Sequence, residues 1–201
     1  KLALPDLKDL ATRLKGELKW EARSYDVVQL LEMYDDKNFQ QQLFAPDNSE
    51  FIKKMRPHGL SLSEVKPLLV LDAPTRELLV ELSGKFGYTP SFGWDKTLNN
   101  QEMLTRFLTD SSLREGLFSE NTQQIVSKLR TLGYYRFNPN QAELLISLPN
   151  DFPEFVGELK TKYSYNFSDN DLSLLKNLQG DKENLYQLVD GLVGSGYTLN
   201  L

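Results

Sequence analysis

The helical repeat of this chain is clearest in residues 102–137, which read EMLTRFLTDSSLREGLFSENTQQIVSKLRTLGYYRF. Apolar residues recur in this stretch at i, i+3, i+4 and i+7, the spacing that lines one face of an α-helix. Asp110 precedes the second apolar run as an N-cap residue, and Gly133 follows the last run, where a left-handed residue ends a helix at little cost. The stretch predicts a helix, a short helix, a longer helix and a stop.

The same pattern returns along the chain. A shift of 74 positions superimposes residues 27–63 on 101–137, pairing Leu43-Phe44 with Leu117-Phe118, and the segments that follow superimpose at a shift of 77. Periods of this size are typical of solenoids and helical arrays. We therefore predict an all-α fold, an array of short helices in tandem repeats that is either solenoid-like or a compact multi-helix domain. Both Leu–Phe pairs are expected to be buried.

The repeats also predict the domain organisation. We expect a single helical-repeat domain over residues 1–201, with six related units at approximately 1–26, 27–63, 64–100, 101–138, 139–170 and 171–201. No segment alternates apolar and polar residues with a period of two, so we expect no sheet.

An aromatic residue follows each helix stop. These residues are Trp20, Tyr88, Tyr134, Tyr165 and Tyr197. A row of rings can stack on bases, sugars or pigments, or each ring can pack on its own unit and seal the joint to the next helix. Because the ring recurs at one point of a structural repeat, we favour packing.

The composition excludes several kinds of catalytic and metal-binding site. The chain has no cysteine and a single histidine, His58, which excludes thiolate chemistry and sites that need several histidines of this chain. Phosphate-binding loops, zinc-protease motifs and nucleophile elbows are not found in the sequence. We expect no enzyme activity, no metal site and no cofactor. His58 is interpreted as a surface residue near a helix end, where the dipole favours its charged form, rather than as a metal or porphyrin ligand.

The charge pattern bears on partners. The net charge is −5, and basic residues are interleaved with acids, so we expect no nucleic-acid binding. The longest apolar runs, such as 68–71, are far shorter than the roughly 20 residues that span a bilayer. We therefore predict a soluble chain with no transmembrane segment.

In consensus form the unit reads Leu-x-x-Phe-Leu-x-Asp-x-x-Leu, a spacer, and Ile-Val-x-x-Leu-x-x-x-Gly-Tyr. Leu117-Phe118-Ser119, Gly133-Tyr134 and Tyr165-Asn166-Phe167-Ser168 carry the pattern. It resembles the leader-peptide domain associated with nitrogen-fixation clusters and nitrile-hydratase-type leaders, and the resemblance implies a helical fold for each unit. Leader peptides carry one copy followed by a modifiable core, whereas the copies here run in tandem and the 201 residues contain no Cys.

We expect a non-catalytic helical-repeat protein that binds or bridges other proteins, as a scaffold or accessory subunit of a larger complex. Stacked repeats bury a shared core and leave long surfaces for extended partners. The residues predicted to bind protein are Phe92, Trp94 and Phe137, aromatics that stand outside the periodic stripe in predicted loops. The alternative for these rings is a local small core under the 89–98 connection.

A second hypothesis is a carrier that holds an apolar ligand or pigment in a cleft between helices. An enzyme is the third, because no nucleophile is paired with a base in the sequence.

Overall fold

The computed structural model describes residues 4–21, 27–93, 95, 97–133, 136–166 and 168–195. This part of the chain contains thirteen α-helices, and no β-strand beyond a single antiparallel bridge between Phe92 and Leu98. The predicted all-α fold is confirmed. The helices are α1 (Leu4–Leu18), α2 (Val27–Asp35), α3 (Lys37–Leu43), α4 (Pro46–Met55), α5 (Leu62–Leu69), α6 (Ala73–Phe86), α7 (Gln101–Thr109), α8 (Ser111–Leu117), α9 (Glu120–Leu132), α10 (Ala142–Ile146), α11 (Phe152–Tyr163), α12 (Leu172–Gln179) and α13 (Lys182–Gly194).

The chain divides into two compact units, Lys1–Leu108 and Thr109–Leu201. The division falls inside α7 rather than at a repeat boundary. The sequence predicted a single repeat domain, whereas the contacts of the chain gather into these two groups.

Short polar side chains and glycines set the helix ends. Asp36 and Asp110 accept hydrogen bonds from the backbone N–H groups of Phe39 and Leu113, each at 2.9 Å, and so start α3 and α8. Gly133 ends α9 with a φ of 118°, a value that favours a residue without Cβ. Ser119 is the N-cap residue of α9, and its side chain accepts a hydrogen bond from the Thr122 backbone N–H.

In unit 1 the helices pack in two rows. α3 lies against α5, α4 lies against α6, and α1 covers α2 and α4. The buried side chains come from the apolar stripes that the sequence shows, with Leu14, Leu43, Ile52, Val65 and Leu78 fully shielded from solvent.

Unit 2 repeats this pairing. α8 lies against α10 and α9 against α11, and the pair α12–α13 continues the row from α11. Polar contacts between successive helix pairs join residues 28 or 29 positions apart. They are Lys162 to Asp190 at 2.7 Å, Gln179 to Asp151 at 2.8 Å and Lys176 to Ser147 at 2.7 Å.

The Leu–Phe pairs differ from the prediction in one respect. Leu43 and Leu117 are fully buried, but Phe44 and Phe118 are half-buried, so the expectation that both members are buried is wrong for the phenylalanines. Each phenylalanine is the C-cap residue just beyond its helix, where the stripe has turned toward the surface. The guanidinium of Arg13 covers the ring of Phe44 at 3.9 Å from its centroid.

Rings that follow the helix stops pack into the fold where the structure describes them. Trp20 and Tyr88 are each 3% exposed, and Tyr165 is half-buried. Arg56 lies over the Trp20 ring at 4.4 Å. Burial of these rings supports the packing interpretation, while Tyr134 and Tyr197 lie outside the described residues.

Candidate functional site

The predicted loop site is a tight connection between α6 and α7. Phe92 is half-buried and bridges to Leu98, and the Gly93 N–H donates to the Thr97 carbonyl at 2.9 Å. The Asp95 carboxylate accepts from the Thr97 hydroxyl at 2.6 Å. These hydrogen bonds join the described residues of the connection to one another, and Trp94 lies outside the described residues.

Phe137 does not have the exposure that the sequence predicted for it. It is 4% exposed, in the extended segment that leads into the 3₁₀ turn Pro139–Gln141. The expectation of an exposed loop aromatic is wrong here, because the chain turns the ring inward before α10 begins. Because the Phe137 side chain is buried, it offers no free surface for the predicted protein binding.

A groove that the sequence analysis did not single out lies between α2 and α5 in unit 1. It has a volume of about 580 Å³, and its walls are one ridge from each helix, with Phe39 of α3 also lining it. The α2 ridge is Gln29, Glu32 and Met33, and the α5 ridge is Leu62, Ser63, Lys66, Pro67 and the following Val70. Residues three and four apart on a helix share a face, which explains why each wall is continuous.

Local interactions fix the two walls. A capping box starts α5, in which the Glu64 carboxylate accepts from the Ser61 N–H at 2.8 Å. Across the groove, Lys66 donates to Asp36 at 2.6 Å. That hydrogen bond, followed by the one from the Phe39 backbone, lowers the pKa of Asp36.

The rim of the groove is apolar and open. Val70 is 80% exposed, and Val28, one turn before Glu32 on α2, is 60% exposed. Val27 beside it is 50% exposed. Of these three valines only Val70 lines the groove, whereas Val27 and Val28 are exposed elsewhere on α2.

A second hollow of about 410 Å³ lies near the join of α1 and α3. Its two cations are already engaged. Arg13 pairs with Glu17 at 2.9 Å and covers Phe44, and Lys37 lies 4.3 Å from the centroid of the Tyr34 ring. This hollow offers few free groups to a ligand.

His58 is half-buried at the end of the 3₁₀ turn Arg56–His58, and its carbonyl accepts from the Thr89 hydroxyl at 2.9 Å. Among the described residues, no group of three or more His, Asp or Glu side chains has the arrangement of a metal site. None of the helices described here combines the length and the apolar character needed to cross a membrane.

Comparison of the chain with protein-family models, with curated proteins and with solved structures gives no match. The resemblance to the leader-peptide domain thus stays a prediction. The groove is the candidate site on geometry alone.

The sequence did contain a signal for the groove. Val70 directly follows α5 and is apolar at a position that is exposed, where a polar side chain is usual. The signal is weak in a sequence, because only the packing of α2 beside α5 makes Val70 part of a groove wall.

Proposed function

We propose that this chain is a non-catalytic helical-repeat protein that binds other proteins, as a scaffold or accessory subunit, and that the α2–α5 groove receives the partner. One observation carries the proposal: Val70, in the wall of an apolar groove, is 80% exposed. A partner that covers Val70 together with the apolar residues of the groove would remove apolar surface from water, which favours binding.

The shape of the groove favours a protein segment over a small ligand. Pockets for small molecules enclose most of the ligand surface. Here the wall opens at Val70, which lines the groove and is 80% exposed. A carrier of an apolar ligand or pigment therefore has less support.

The 89–98 connection stays a second candidate contact, through Phe92 and Trp94. Backbone hydrogen bonds join its described residues, and Phe92 is half-buried. Aromatic residues are enriched in protein interfaces.

The experiment uses the 201-residue chain as bait in an extract of its source, with wild type and Val70→Asp compared by quantitative mass spectrometry. Leu188→Asp on α13 is the matched control, since Leu188 is also an exposed aliphatic residue, at 62%. Proteins retained by wild type and by the control, and lost by Val70→Asp, are then titrated in purified form. We expect Val70→Asp to weaken the binding of such a partner by about tenfold, because a carboxylate must be desolvated against apolar surface.

Equal retention by wild type and Val70→Asp would show that the groove is not the binding site. An apolar molecule released from denatured wild-type protein, and absent from Val70→Asp, would favour the carrier instead.

A further inference from the structure

The groove presents hydrogen-bond acceptors that the described part of the chain leaves unused. The Gln29 side-chain oxygen is buried and has no hydrogen-bond partner. The Glu32 carboxylate on the same ridge is exposed, and no described residue pairs with it. A buried acceptor without a partner is costly, so a donor entering from outside would stabilise it.

Pro67 adds a third acceptor. It stands inside α5, and it lacks the N–H that would donate to the carbonyl of Ser63 one turn earlier. Both residues line the groove. The Ser63 carbonyl is therefore without its α-helical donor on the wall that faces a ligand.

The cation of the groove is already neutralised. Lys66 donates to Asp36 at 2.6 Å and lies 5.5 Å from the centroid of the Phe39 ring. Glu64, the other nearby acid, is held in the capping box with Ser61. Among the described residues, the groove thus keeps an apolar floor, acceptors without a donor and one unpaired negative charge.

We propose that the segment bound in this groove is a basic amphipathic helix of another protein. Its aliphatic side chains would pack on Met33, Pro67 and Val70, and its Lys or Arg side chains would donate to Glu32 and to the Ser63 carbonyl. Two helix ridges with a groove between them suit a third helix, which docks through residues at i, i+3, i+4 and i+7. The inference rests on the proposed function and adds the charge and shape of the partner.

The test uses two labelled peptides of about 18 residues, each with leucines at i, i+4, i+7 and i+11 to match a helical groove. In one peptide lysines flank the leucine stripe on both sides, and in the other glutamates take those positions. Binding to the full chain is followed by fluorescence anisotropy. We expect the lysine peptide to bind about tenfold more tightly than the glutamate peptide, with an advantage that shrinks as salt is raised.

Three variants separate the groove from the general charge of an acidic protein. Glu32→Lys reverses the charge of the wall, and Glu77→Lys makes the same change in net charge at an exposed position of α6. We expect Glu32→Lys to weaken the lysine peptide by about five- to tenfold, and Glu77→Lys by less than twofold, because only the first charge faces the ligand. Val70→Asp should weaken both peptides, through the loss of the apolar wall.

The outcomes distinguish the two proposals. If both peptides bind equally and only Val70→Asp weakens them, the groove binds helices but has no preference for basic ones, and this inference is wrong. If neither peptide binds, or if Val70→Asp changes nothing, the proposed function of the groove fails as well. Equal losses in Glu32→Lys and Glu77→Lys would show a non-specific charge effect and also overturn the inference.

Discussion

The short helices α5 and α10 occupy the same place in the repeat, but their edges differ. Each lies against the preceding short helix, α3 for α5 and α8 for α10. At the shift of 77 positions, Pro67 and Val70 correspond to Leu144 and Ser147. The end of α5 thus carries Val70 and lacks the backbone N–H that Pro67 cannot supply. The end of α10 keeps the N–H of Leu144 and carries the hydroxyl of Ser147.

The carbonyl ends of these helices are closed in different ways. In unit 1, Arg76 of α6 donates to the carbonyls of Leu69 and Leu71 and to the Asn48 side chain. In unit 2, Lys176 of α12 donates to the Ser147 hydroxyl at 2.7 Å. The guanidinium has five N–H donors in a fixed fork, so Arg76 alone binds several acceptors near the end of α5. In unit 2 the contact with the end of α10 comes from α12, which belongs to the next helix pair.

This difference shows how one repeat can serve two purposes. Where the edge carries a hydroxyl, the next pair of helices attaches to it and the array continues. Where the edge carries valine and proline, it is left open in unit 1, beside α2. The proposed docking groove is the second case.

The largest effect on stability is expected from the two buried leucines that occupy equivalent positions in the repeat. Leu43→Ala and Leu117→Ala should each lower the free energy of unfolding by about 2–5 kcal/mol, because both side chains are fully buried. Phe118→Ala should cost less than Leu117→Ala, since its ring is half-buried. Urea unfolding followed by circular dichroism measures the three losses. A greater loss for Phe118→Ala would contradict the structure.

The hydrogen bonds of Arg76 at the end of α5 should stabilise the protein more than the hydrogen bond of Lys176 at the end of α10. Arg76→Met should lower the free energy of unfolding by about 2–3 kcal/mol, as two carbonyls and an amide lose a charged donor. Lys176→Met should cost less than about 1 kcal/mol, since it removes one exposed hydrogen bond. Urea unfolding is again the measurement, and equal losses would show that the two ends are closed alike.

Acid should weaken both units through their inter-helix ion pairs. The hydrogen bond from Lys66 lowers the pKa of Asp36 in unit 1, and hydrogen bonds from Lys162 and then Tyr163 lower that of Asp190 in unit 2. The stabilisation is fully present above the ordinary carboxyl pKa of about 3.9 and is lost as pH falls through the lowered folded-state pKa. Asp36→Asn and Asp190→Asn should each flatten the decline of the urea midpoint below about pH 4. An unchanged decline would show that the pairs do not contribute.

The smallest effect on stability is expected in the 89–98 connection. Replacing Phe92 and Trp94 together with Ser should leave the thermal midpoint within a few degrees, and weaken partner association if the loop is a second contact. Differential scanning fluorimetry and titration with the purified partner measure the two quantities. A large loss of stability with unchanged binding would place the rings in a local core and leave the groove as the sole candidate of the two.

The candidate site could be predicted only in part, because some of its residues stand out in the sequence and others do not. Phe92, Trp94 and Phe137 stand out in the sequence because they break the repeat register. Whether such a ring is exposed depends on the path of the chain, and that path buries Phe137. The groove residues, in contrast, lie on or next to ordinary amphipathic helices, and the exposed apolar Val70 is too weak a signal to reveal a wall that faces Gln29.

The sequence by itself determined the all-α fold, the order of short and longer helices, and most of their ends, because helical periodicity and capping are local interactions within a few residues. Asp36, Asp110 and Gly133 are examples of ends that could be read directly. Only the tertiary structure decided that α2 and α5 leave an open apolar groove, and that Arg76 closes one short helix while Lys176 binds the other. The reason is that the two walls of the groove, the Arg76–Asn48 contact and the Lys176–Ser147 contact each join residues at least 28 positions apart, so their register depends on how whole helices pack.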